Sequence, residues 1–179
     1  MSDAVTELLD RGTVREIVQR PPRSHLRAGI AIVLLLACLG VVLAATMSPT
    51  PLDQGYESSI DKFLAVLHRN GVPDWFDYRE LEFTANVAMF VPLGLLLGLA
   101  LGRVMWLGIL LLPALSAGIE WFQATFLSAR FATLQDVVAN SIGGWIGLLF
   151  AAIIVGMVHA RDRKVIDRAL WDARYGAKR

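Results

Sequence analysis

The stretch AGIAIVLLLACLGVVLAATM, Ala28 to Met47, runs for twenty residues without a charge. About 20 consecutive apolar residues are what a helix needs to cross roughly 30 Å of hydrocarbon. Arginines precede the run, as they do in a signal peptide, but an apolar signal core is only about 7 to 15 residues long, so a retained span is expected. Ser48, Pro49, Thr50 and Pro51 follow, and prolines do not continue a helix. Three further apolar runs have similar length: about Thr84 to Gly102, Val104 to Phe126 and Asp136 to Val158. These blocks explain why 55% of the 179 residues are hydrophobic and only 18% charged. A soluble domain averages about 45 to 50% and 25%, so a soluble enzyme, a disordered chain and a disulfide scaffold are all excluded. The single cysteine, Cys38, lies inside the first run and has no partner for an intrachain bridge.

The formal net charge is only +1, and its distribution carries more information than its sum. Thirteen Lys and Arg residues precede the first run, separate the second from the third as Arg103, or follow the fourth. Four lie in the remaining segments: Lys62, Arg69, Arg79 and Arg130. The positive-inside rule therefore predicts a cell-membrane protein with both termini in the cytoplasm, which an even number of spans requires. The expected fold is an all-α, integral membrane four-helix bundle, organised as a cytoplasmic segment 1–27, a membrane domain 28–158 and a basic cytoplasmic tail 159–179.

The loop from Ser48 to Phe83 then faces outward and carries seven acids against three bases. Ser58-Ser59-Ile60-Asp61 resembles a helix-capping signal, and Phe63, Val66 and Leu67 recur at helical spacing before Gly71 and Pro73. The reading is a short amphipathic helix, with Trp75, Phe76 and Tyr78 as interface aromatics. In the tail, Ile166, Ala169, Leu170 and Ala173 recur at i, i+3, i+4 and i+7 among basic residues, which predicts a helix lying along anionic lipid. Val5, Leu8 and Leu9, ended by Pro21-Pro22, are a weaker version. A lipid bilayer is the expected partner and nucleic acid is not. With no metal-type Cys/His spacing and no phosphate-binding loop, no metal or cofactor is expected.

A polar side chain inside hydrocarbon costs about 2.5 to 3.5 kcal/mol if charged, so each one should face the bundle and find a partner. Asn86 lies in the first turn of the second span. Ser116, Glu120 and Gln123 share one face near the end of the third, and Asp136 and Asn140 share a face at the start of the fourth. Because neighbouring spans run in opposite directions, Asn86, Glu120, Gln123, Arg130, Asp136 and Asn140 all fall in the outer third of the bilayer. Gly143, Gly144 and Gly147 permit close helix approach. Pro92 and Pro113 free the carbonyls of Ala88 and Ile109, and a kink there would widen the outer mouth.

The same residues carry a family resemblance. NVAMFVPLG (Asn86 to Gly94), SAGIEWFQ (Ser116 to Gln123) and ARFATLQDVVANSIGGWIG (Ala129 to Gly147) resemble the successive motifs of VanZ-like membrane proteins. Asn86, Pro92, Gly94, Glu120, Gln123, Arg130, Asp136, Asn140 and Gly143 match the pattern. Thr133 departs from it, since many members carry an acid there. The resemblance implies a small multi-pass protein of the bacterial cell envelope, with a link to glycopeptide resistance of the teicoplanin type.

Three functions compete on this reading. In the first, an accessory or binding protein uses Asn86, Glu120, Gln123, Arg130, Asp136 and Asn140 to engage a lipid-linked or cell-wall precursor, with Arg130 on an anionic group. The second is an intramembrane enzyme on a lipid-linked head group, with Glu120 or Asp136 as general base. No nucleophile stands beside a histidine, so no catalytic residue is assigned and a non-enzymatic role is favoured. In the third, the polar set only locks the helices together. Neither the ligand nor an oligomeric state follows from the sequence.

Overall fold

A computed structural model describes residues 25–48, 55–127 and 133–175, and every regular element in them is helical. Arg130, the amino-terminal stretch around Val5 to Leu9, Pro49, Pro51 and the last four residues lie outside the described residues.

Helix α1, His25–Thr46, is the charge-free run and ends where the Thr46 hydroxyl donates back to the Val42 carbonyl, 2.8 Å away. Helix α2, Glu57–Arg69, is the expected amphipathic segment, with two corrections. Ser58 and Ser59 do not cap it: the helix starts after Tyr56 without a side-chain cap. Its buried residue is Leu64, while Phe63 and Val66 of the expected stripe are exposed. The chain leaves α2 through Gly71, whose φ of +94° suits glycine. His68 then ties the helix to the following segment by a 2.9 Å hydrogen bond from its ring to the Phe76 carbonyl.

Helix α3 spans Tyr78–Leu101 and begins six residues before the apolar run does. The cause is a capping box: the Asp77 carboxylate accepts from the Arg79 amide at 2.8 Å, and the Asp77 amide donates to Glu80 Oε2 at 3.2 Å. The Arg79 amide, followed by the Glu80 side chain, holds the Asp77 carboxyl below its usual range. At the far end Gly102, with φ +57°, opens a 3-10 turn over Gly102–Leu107, and helix α4 follows at Gly108–Phe126. Helix α5, Leu134–Tyr175, has 42 residues and extends for about 63 Å at roughly 1.5 Å per residue. The fourth span and the basic tail are thus one uninterrupted helix.

Three stretches are long and apolar enough to cross a membrane: Gly29–Thr46, Tyr78–Phe126 and Leu134–Asp172. The middle one crosses twice. Gly98 and Gly143 of α3 and α5 lie against Ala151 and Val87, so those two helices run parallel. Gly108 lies against Leu148, Leu112 against Gly144, and Ser116 against Asn140, so α4 runs antiparallel to α5 and hence to α3. The chain therefore forms an all-α membrane bundle of α1, α3, α4 and α5.

The most extensive packing joins α3 to α5. A Cβ on Gly143 or Gly147 would run into the carbonyl oxygens of Val87 and Val91, and one on Gly94 into that of Gly144. The two backbones meet directly, as small residues allow in lipid. Val42, Phe90, Leu93, Leu112, Ile119 and Leu148 fill the space around this seam.

Candidate functional site

One end of the bundle collects the polar side chains. From α3, Asn86 Nδ2 donates to Asp136 Oδ1 at 2.7 Å across fifty residues of sequence. Asp136 sits in the first turn of α5, where the positive end of the helix favours a carboxylate. Thr133 stands immediately before that helix. Its hydroxyl accepts from the Asp136 amide at 3.1 Å and donates to Asp136 Oδ2 at 2.8 Å, so it caps α5. The Thr133 backbone amide in turn donates to Glu120 Oε2 of α4 at 3.0 Å. In an ordinary capping box the third helical residue would take that amide. Here Asp136 is committed to Asn86, and a carboxylate from the neighbouring helix takes its place.

A threonine hydroxyl both donates and accepts, and so bridges the amide and the carboxylate of Asp136. A carboxylate at the same point would face Glu120 and Asp136 as a third negative charge.

One turn deeper, Asn140 Nδ2 donates to Ser116 Oγ at 2.9 Å between α5 and α4. Both residues are buried, Ser116 completely and Asn140 to 2% exposure. Asn140 Oδ1 is also buried and has no hydrogen-bond partner, the sole such side-chain atom among the described residues. An amide oxygen left this way in a low-dielectric interior is costly and is filled by a donor when one is available. On the other flank, Gln123 Nε2 of α4 donates to the Thr46 carbonyl of α1 at 2.7 Å, joining the ends of those two helices.

The structure thus brings Asn86, Glu120, Gln123, Asp136 and Asn140 to one end of the bundle, each from the helix the sequence assigned. The sixth residue singled out, Arg130, lies in the segment 128–132 outside the described residues. Glu120 and Gln123 are buried, while Asn86 and Asp136 are half-buried. The arrangement is a belt of carboxylate, amide and hydroxyl groups, largely satisfied by one another, with one spare acceptor at its floor. Among the described residues no group of three His, Cys, Asp or Glu side chains is placed to hold a metal ion.

Sequence reading missed three participants. Thr46 contributes only a backbone carbonyl, which no side-chain pattern reveals. Thr133 was visible as a departure from the family pattern, but its capping role depends on where α5 starts. The third is Trp145: its indole N–H donates to the Ile109 carbonyl at 3.1 Å. That carbonyl is the one Pro113 leaves without its helical partner. Helix α4 runs on through Pro113, and α5 supplies the missing donor.

No curated protein and no solved structure matches the chain. A family model does, over residues 30–155, a range that contains all three motif segments and every polar residue of the belt. On that match the chain belongs to the VanZ/LLP1 family of membrane proteins.

Proposed function

We propose that this protein is an accessory or binding protein of the bacterial cell envelope whose polar belt engages the head group of a lipid-linked or cell-wall precursor. The observation that carries this reading is the unspent Asn140 Oδ1, a buried acceptor set beneath Glu120 and Asp136. Structural glue alone has no use for it. The charge distribution supports an outward-facing belt, with both termini and the basic extension of α5 on the cytoplasmic side. Arg130, three residues before Thr133 in sequence, supplies a positive charge for an anionic part of the ligand. Family membership and the resemblance together motivate a contribution to glycopeptide susceptibility of the teicoplanin type.

A second reading has its own support. Asn86 with Asp136, Glu120 with Thr133 and Gln123 with Thr46 pair across the bundle, which is what a purely structural subunit would show. The two separate experimentally. In a host lacking its own copy, Glu120→Ala, Arg130→Ala, Asp136→Ala and Asn140→Ala are scored for glycopeptide susceptibility alongside membrane abundance and melting temperature. The binding reading expects loss of phenotype at normal abundance for at least Asn140→Ala. Unchanged susceptibility in all four at normal abundance overturns it, and defects that track melting temperature establish the structural one.

A further inference from the structure

The end of the bundle away from the polar belt carries an apolar groove of about 460 Å³ between α4 and α5. Its walls include Met105, Trp106, Ile109, Trp145, Leu149 and Ala152. The Trp145 indole N–H is already given to the Ile109 carbonyl, so the groove presents carbon to its occupant. Antiparallel pairing gives its depth: Ser116 meets Asn140 near the belt, Leu112 meets Gly144, Gly108 meets Leu148, and Met105 and Ala152 come beyond.

Each wall leads to a cation at that end. On α5, Trp145, Leu149, Ala152, Gly156 and Arg163 fall at i, i+4, i+7, i+11 and i+18, one face of an uninterrupted helix. Gly156 keeps this path open, since a Cβ there would meet nothing within 4 Å. Arg163 lies about 16 Å past Ala152 at roughly 1.5 Å per residue, and a helical side chain leans toward the helix N-terminus, here back toward the groove. On the other wall, Arg103 precedes Trp106 by one turn of the 3-10 segment Gly102–Leu107, in which positions i and i+3 eclipse. Both arginines are exposed. His159, on the same face of α5, is turned onto its own helix, where its Nδ1 donates to the Val155 carbonyl at 2.8 Å. The acid of that face, Asp167, comes one turn further from the groove than Arg163.

An apolar groove alone would take any acyl chain. Two guanidinium groups at its end add a choice, because guanidinium pairs with phosphate oxygens in charge-assisted, bidentate hydrogen bonds. Basic pockets between spans select anionic head groups in this way. We propose that the groove, Arg103 and Arg163 form a site for a phospholipid with a net negative head group, its acyl chain between α4 and α5 and its phosphate between the two guanidinium groups. In the orientation proposed for the bundle, this lipid belongs to the cytoplasmic leaflet. The site is separate from the belt and does not depend on what the belt binds.

The test uses the purified full chain in detergent and native mass spectrometry with three defined probes. These are dipalmitoyl phosphatidylglycerol, dipalmitoyl phosphatidylcholine, whose head group has no net charge, and water-soluble glycerophosphoglycerol. Phosphatidylglycerol should be retained at least about tenfold over phosphatidylcholine, and the soluble probe not at all. Arg103→Gln and Arg163→Gln should each lower that ratio about fivefold. Arg161→Gln removes the same charge from the other side of α5, turned by about 200° from Arg163, and should leave the ratio near wild type. Ala152→Trp, which fills the groove, and Leu149→Ala, which removes a wall, should reduce retention of phosphatidylglycerol at unchanged melting temperature. Equal retention of the two lipids overturns the head-group assignment, as does an Arg161→Gln effect equal to that of Arg163→Gln, which marks general attraction to a basic tail. Unchanged retention in both groove variants overturns the chain assignment, and retention of the soluble probe at the level of the lipid overturns the choice of a lipid. A two-copy species that excludes lipid and that Ala152→Trp dissociates overturns the proposal in favour of a self-interface.

Discussion

The polar end of the bundle and the seam below it hold the same helices together by opposite means. At the polar end, α3 meets α5 through a side-chain pair, Asn86 to Asp136, and α4 meets α5 through the capped turn at Thr133. Below, Gly94, Gly143 and Gly147 remove the side chains altogether and the backbones touch. In lipid there is no hydrophobic drive to bring helices together, so close approach must come from packing, and rotational register from hydrogen bonds. The seam supplies proximity and the belt supplies register.

Breaking the seam should have the largest effect. Gly143→Leu or Gly147→Leu forces a side chain against the carbonyls of Val87 or Val91, and overpacking of this kind costs about 1 to 3 kcal/mol or more. Loss of the folded fraction in detergent, monitored by size-exclusion chromatography, checks it.

Breaking the belt should matter less. Asn86→Ala removes the donor to a half-buried carboxylate, and interhelical hydrogen bonds in membranes average about 0.6 kcal/mol and reach about 1.7. Asn86→Ala combined with Asp136→Ala should be less damaging than the sum of the two, because neither leaves a stranded partner. A double-mutant cycle on thermal or denaturant unfolding measures it.

Trp145→Phe tests a polar contact deeper in the bundle, between α5 and α4. It keeps the ring and strands the Ile109 carbonyl, for about 0.5 to 1.5 kcal/mol. Pro113→Ala should restore the helical bond within α4 and make the Trp145→Phe change nearly silent, as melting temperatures of the single and double variants would show.

The smallest effect is expected outside both regions, at the Asp77 cap. Its carboxyl is held below the usual value near 3.8, so the stabilisation it gives is present above that value and fades as the pH falls through the lower folded-state value. Asp77→Asn should therefore lower the melting temperature slightly at neutral pH and converge on wild type in acid, which flattens the acid limb of the melting-temperature profile.

Much of this comparison was legible in the residues. Four apolar runs at spanning length identify the bundle, and alternating chain direction alone places Asn86, Glu120, Asp136 and Asn140 at one depth. Helix ends were less legible. Tyr78 to Glu82 is polar and reads as loop, yet Asp77 and Glu80 start a helix there. The change of composition after Val158 reads as a boundary, yet α5 passes through it, because backbone hydrogen bonding does not depend on whether the side chains face lipid or water. The pairings within the belt depend on helix rotation, which periodicity gives to within a face and not to within a hydrogen bond. Asn140 was placed at the depth of the belt, but its bond to Ser116 and its unspent oxygen emerge only in three dimensions.

The Ile109 to Trp145 bond also bears on how the protein is made. A nascent α4 entering the bilayer alone would expose the carbonyl vacated by Pro113 to hydrocarbon, together with Ser116, Glu120 and Gln123. Its indole partner, Asn140 and Thr133 all come from the next segment to leave the ribosome. Thermodynamically, then, α4 and α5 are one cargo for the insertion machinery, released into lipid as a closed hairpin beside α3, and a stalled chain ending before Trp145 should be held back at the translocon.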